Sequence, residues 1–185
     1  MKIYRCIFLF ISFLMGCHSY AASNPKVTRA ECYLVINCFS KTVINDSFYL
    51  SSKPNFKGPA PNSQMGSADS LFSKEDIRYM LGQMKHLPVK KWNGRKMVAG
   101  TIIPERKLPD IYATRQSRGW IGFYERYGRH SYYEFSVPLF SEDKTKCIIS
   151  VSRLCGGLCG SSFIFIMEKK GDGWVVRDHY MTGIN

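Results

Sequence analysis

The stretches YYEFSVPLF (132–140), CIISVSR (147–153), FIFIMEK (163–169) and WVVRDH (174–179) decide the fold. The first alternates, which places Tyr133, Phe135, Val137 and Leu139 on one face of a strand. The other three are short, rich in β-branched and aromatic residues, and bounded by turn chemistry. Ser141-Glu142-Asp143-Lys144 makes one turn, Cys155 to Ser161 a tight loop, and Gly171-Asp172-Gly173 another turn. Strands joined by such short connections pair antiparallel, so the C-terminal part reads as a four-stranded meander.

Working upstream, helices appear. Thr28-Arg29-Ala30-Glu31 fits a capping box and opens an apolar run to about Ser40. The run predicts a buried helix with one polar residue, Asn37; its β-forming residues make a strand the rival reading. In a helix, Cys32 and Cys38 face apart and cannot bridge one another. Ser47 to Ser51 reads as a short strand. Residues 53–70, rich in Pro, Gly, Ser and Asn, read as a long loop, a flap or binding segment. Ser73 caps a second helix, with Glu75 and Asp76 in its first turn. Ile77, Met80, Leu81 and Met84 form a stripe expected to face the core, and the helix stops before Pro88. Met97 to Ile103 and Gly119 to Tyr124 are expected to be strands. The layout is α+β: an antiparallel sheet with the helices packed on one face, and residues 22–185 as a single domain.

The chain begins like an export signal, residues 1–21. Lys2 and Arg5 precede an apolar run from Cys6 to Met15, followed by the small residues Gly16, Ser19, Ala21 and Ala22. The run is about half the length of a membrane-spanning helix. Two processing routes stand. One cuts after Ala21 or Ala22 and yields a periplasmic or secreted protein. In the other, Leu14-Met15-Gly16-Cys17 acts as a lipobox, although Met15 departs from the usual small or β-branched residue. Cys17 would then carry acyl chains and tether an envelope protein to a membrane, with residues 18–27 as its leash.

The formal net charge is +12, and about +10 without Lys2 and Arg5. Such an excess attracts an acidic protein, a glycan or anionic lipid head groups; it also serves simple solubility. Export argues against nucleic acid as the partner. Two basic stretches carry aromatics. One, Lys85 to Lys96, holds Lys85, His86, Lys90, Lys91, Arg95 and Lys96 around Trp92; the other interleaves Arg115, Arg118, Arg126 and Arg129 with Trp120, Phe123, Tyr124, Tyr127, Tyr132 and Tyr133. Arginine beside an aromatic can grip anionic or planar groups. The competing reading is core aromatics with solvated arginines.

Beyond position 22 lie Cys32, Cys38, Cys147, Cys155 and Cys159, an odd set that forms at most two bridges. An oxidising compartment favours bridging. CGGLCG (155–160) is the most distinctive local feature. Cys155 and Cys159 in a glycine-rich turn can bridge each other, or one can reach Cys147, Cys32 or Cys38. A redox pair is a second reading, although the three-residue spacer and the position between strands depart from the helix-borne dithiol. Metal binding is a third, without convincing ligand spacing elsewhere. No cofactor or metal is read from the sequence.

Nucleophile-elbow, zinc-protease and phosphate-loop signatures are absent, and His86, His130 and His179 are scattered. PLFS (138–141), CGGLCG (155–160) and KKGDGW (169–174), with FSKEDI (72–77) and Gln83 upstream, resemble uncharacterised exported bacterial envelope proteins over about half the chain. That resemblance implies a small envelope protein and no known activity. The reading is therefore a non-enzymatic binding module with a basic, aromatic surface. The alternative is an envelope enzyme, thiol-dependent through Cys155 or Cys159, or a hydrolase with an unrecognised site.

Overall fold

The computed structural model describes residues 26–44, 47–55, 71–111, 118–157 and 159–184. The export segment, Cys17, most of the 53–70 loop and Arg115 lie outside them. Among the described residues, three α-helices and a seven-stranded, mostly antiparallel sheet make an α+β fold. In chain order these are α1 (Arg29–Val43), β1 (Tyr49–Ser51), α2 (Lys74–Lys85), β2 (Thr101–Ile103), α3 (Arg118–Tyr127), β3 (Tyr132–Phe135), β4 (Leu139–Phe140), β5 (Lys146–Gly156), β6 (Cys159–Lys170) and β7 (Gly173–Ile184). The sheet order is β2-β1-β3-β5-β6-β7, with β4 beside β3 on the same edge of β5. The meander is thus present, and its last three strands are longer than expected. β1 adds to it in parallel with both β2 and β3.

Both helix starts follow their caps. The Thr28 hydroxyl accepts the Glu31 amide while the Glu31 carboxylate accepts the Thr28 amide at 2.7 Å. Ser73 and Asp76 make the same reciprocal pair for α2. Strand alternation then sorts the core. Cys147, Ile149 and Val151 of β5 face α1, in a cluster with Ile36, Phe39, Phe135, Phe165 and Trp174. Ile148 faces the other way, toward Met80 of α2, and Leu154 toward Phe123 of α3. The helices therefore cover both faces of the sheet, not one. The reason lies in β5, which is buried from Cys147 through Ser152 and needs apolar cover on each side.

Three local expectations change. Gly119 to Tyr124 is helical, within α3, because Trp120, Phe123, Tyr124 and Tyr127 recur at helical spacing and bury a stripe. The expected strand from Met97 shortens to Thr101–Ile103. A 3-10 turn, Gly94–Lys96, precedes it, and Gly100 sits at φ 81° where a Cβ would run into the Phe48 ring. The run 132–140 breaks into β3 and β4. From Phe135 opposite Val151 to Leu139 opposite Ile148, one strand advances four residues and the other three. The extra residue is a bulge beside Pro138, which has no amide to donate. Ser136 bridges the gap: its amide donates to Ser150 O and its hydroxyl accepts the Ser150 amide at 2.8 Å. The slip turns Leu139 to the α2 face and Phe140 to the α1 face, so Leu139 does not share a face with Tyr133, Phe135 and Val137.

Candidate functional site: a cation-lined cleft

One stripe of α1 positions the first basic stretch. Arg29, Tyr33 and Asn37 stand at i, i+4 and i+8, on one side of the helix. Arg29 Nε donates to Pro88 O at 2.9 Å. The Tyr33 hydroxyl accepts the Asn93 amide at 2.7 Å. Asn37 donates to Lys96 O and accepts the Val98 amide, each at 2.9 Å. The segment 88–98 has little regular structure, so these bonds satisfy backbone groups that have no ladder. Trp92 anchors it from beneath. Its ring is 3% exposed, edge-on to Tyr33 at 5.5 Å, and its amide donates to Ser52 O. Trp92 is a core residue and not part of a binding surface. Its bulk is what holds the loop down.

Lys90, Lys91 and Arg95 remain exposed above this anchor. A cleft of about 1100 Å³ opens beside them, lined by Lys26, Arg29, Lys53, Lys85, His86 and Lys90 with Val27, Met84, Leu87 and Pro88. A smaller one of about 290 Å³ shares Arg29 and Lys90 and adds Lys91 and Lys96. Among the described residues, no carboxylate lines either. Lys53 is ion-paired with Glu105. The Glu31 carboxylate, close in sequence, is taken by Lys144 at 2.8 Å. Burial opposes its ionisation, but hydrogen bonds from Lys144 and Thr28 outweigh that and hold it below the usual glutamate range. A third cleft of about 520 Å³ shares Lys26, Val27, His86 and Pro88 and is mixed in charge, with Glu75, Arg78 and Glu142 on its wall. Its Gln83 is committed to structure, donating to Phe140 O and accepting the Phe140 amide.

Arg126 and Arg129 of the second basic stretch do not join this cleft. Arg118 opens α3, Arg129 is exposed beyond it, and Arg126 donates to Lys107 O at 3.0 Å beside Arg106 and Glu125. Its aromatics mostly face inward: Trp120, Phe123 and Tyr132 are buried in one cluster. Of the residues singled out in the sequence, Lys90 lines both clefts and Lys91 the smaller one, while Arg95 lines neither; Lys26, Arg29 and Lys53, not singled out there, line the large one. Nothing local marks those three: Lys26 and Arg29 stand at the start of α1, and Lys53 follows β1. The α2 stripe also differs from expectation: Met80 is buried, while Leu81 and Met84 are each 36% exposed and Met84 lines the large cleft.

The cysteines divide clearly. Cys155 and Cys159 are disulfide-bonded across the β5–β6 hairpin, Cα to Cα 5.0 Å. The Tyr124 hydroxyl donates to Cys155 O at 2.6 Å and ties this hairpin to α3. The pair sits at strand ends, so no helix dipole acts on it. Cys32, Cys38 and Cys147 are free thiols. Burial pushes Cys32 up to about 12, with the Glu31 charge adding to the effect. Burial likewise raises Cys147 well above an ordinary thiol. Neither supplies a thiolate nucleophile at neutral pH. Among the described residues, no group of three or more His, Cys, Asp or Glu side chains is placed to hold a metal ion. No helix among them is long and apolar enough to cross a membrane. Comparison with protein-family models, with curated proteins and with solved structures finds no match to this chain.

Proposed function

We propose that this protein is an exported, non-enzymatic binding module of the bacterial envelope that takes a polyanionic partner in the cation-lined cleft. One observation carries the reading. Lys26 and Arg29 from one stretch of the chain, and Lys85 and Lys90 from another, converge on one concavity whose described lining holds no carboxylate. Cations gathered without counter-charges repel one another, and an anionic occupant relieves that cost. The export part rests on residues 1–21 and agrees with a disulfide at Cys155–Cys159, a bond characteristic of oxidising compartments.

Heparin serves as a generic polyanion for the test. Binding at low ionic strength is expected to weaken steeply as salt rises, because the exposed charges are screened within about 10 Å at 0.1 M. The combined variant Lys26→Gln, Lys85→Gln, Lys90→Gln is expected to bind at least tenfold more weakly. No binding at low salt, or equal binding by the variant, refutes the proposal.

A further inference from the structure

The partner's chemistry is legible in how the large cleft divides. Its exposed lining is cationic, a rim of Lys26, Arg29, Lys85 and Lys90. Its apolar lining forms the floor: Val27 is buried, Leu87 and Pro88 are half-buried, and Met84 is more exposed beside them. Met84 is the telling residue. One turn earlier on α2, Met80 is fully buried under the sheet, whereas Met84 stays 36% exposed and looks into the cleft. A hydrophilic polyanion would engage the rim and leave the floor against water. An uncharged apolar ligand would cover the floor and leave the cations unpaired. Only a molecule with an anionic head and a hydrocarbon body satisfies both. The volume, about 1100 Å³, is slightly above the usual range of small-molecule sites and far exceeds an inorganic anion.

We infer that the cleft binds an anionic phospholipid, its phosphate on the Lys26, Arg29, Lys85 and Lys90 rim and its acyl chain along Val27 and Met84. This deepens the polyanion-binding reading and rests on it. Two of the apolar residues are fixed by the protein itself: Arg29 Nε donates to Pro88 O, and Val27 is 7% exposed in the cluster with Ile36 and Phe39. That part of the floor is built before any lipid arrives.

The test titrates the full mature chain with dioctanoyl phosphatidylglycerol below its micellar concentration. Glycerol 3-phosphate, dioctanoyl phosphatidylcholine and heparin are the comparison probes. The anionic lipid is expected to bind at least tenfold tighter than glycerol 3-phosphate or the zwitterionic lipid. Met84→Gln keeps charge and size; it is expected to weaken the lipid about tenfold and leave heparin unchanged, while Met84→Leu restores the lipid. Lys26→Gln with Lys90→Gln is expected to weaken both probes. Equal affinity for the lipid and glycerol 3-phosphate, or no effect of Met84→Gln, overturns the lipid assignment while heparin binding leaves the broader proposal standing. Loss of heparin binding in the unaltered protein refutes both.

Discussion

The β5–β7 meander and the basic face over α1 are built by opposite means. In the meander, strands of 11, 12 and 12 residues pair with their neighbours in sequence, and the backbone ladder does the holding. In the basic face, segment 88–98 has no ladder and is held by side chains of Arg29, Tyr33 and Asn37, about sixty residues earlier in the chain. The first region is stabilised by repetition, so no single hydrogen bond matters much. The second is stabilised by a few named bonds, so each one does. The contrast also separates labour: the meander carries the scaffold, and the clamped loop carries the charge.

The largest test of that contrast goes to the core both regions share. Phe39 of α1 is 1% exposed and meets Phe135 and Phe165 edge-on. Phe39→Ala is expected to cost about 3–5 kcal/mol in urea unfolding. A loss under 1 kcal/mol would mean that α1 is not seated on the sheet as described.

Next comes the covalent brace. Cys155 and Cys159 close a short loop, so the loop-entropy contribution is about 2 kcal/mol. Cys155→Ser, or mild reduction, should lower the melting midpoint accordingly. Alkylation of the denatured, unreduced protein should label Cys32, Cys38 and Cys147 and spare the pair. Labelling of Cys155 or Cys159 would remove the brace from the account.

The clamp is a smaller effect with a local signature. Asn37→Ala removes two bonds to the loop and is expected to cost about 1–2 kcal/mol. Amide exchange at Val98 should accelerate far more than at Ile149 in β5. Uniform acceleration across both would contradict the idea that the loop depends on single side chains.

A pH series probes the Glu31–Lys144 pair, which links α1 to the turn before β5. The folded carboxyl titrates below its ordinary value, so its stabilisation is complete above about pH 4.3 and is lost as pH falls through the folded value. Because the pair is partly solvated, Glu31→Gln should cost only about 0.5–1 kcal/mol at pH 7. The gap between variant and parent should close on acidification; a gap that persists at pH 2 would show that charge is not its source. The smallest change is expected at Lys85→Gln and Lys90→Gln, under about 0.5 kcal/mol. A gain in stability there would measure the mutual repulsion that a polyanion relieves.

Much of the scaffold could be read from the chain. Thr28 with Glu31 and Ser73 with Asp76 mark helix starts within four residues, and those caps form as expected. The hairpin turns and CGGLCG are equally local. α3 was illegible because Trp120, Phe123, Tyr124 and Tyr127 are strand-forming types at helical spacing, and propensity masked period. Trp92, among charged neighbours, could be a surface or a core aromatic; only the fold buries it edge-on to Tyr33.

Alternation, turn chemistry and caps operate over a handful of residues, so the amino-acid order alone determined an α+β protein with a C-terminal meander and a hairpin holding two close cysteines. Which face each helix covers, the inversion of Leu139 and Phe140 at the Pro138 bulge, and the meeting of Lys26, Arg29, Lys85 and Lys90 were decided by the tertiary structure. These depend on contacts between residues dozens of positions apart, whose free energies exist only once the sheet is closed between its helices.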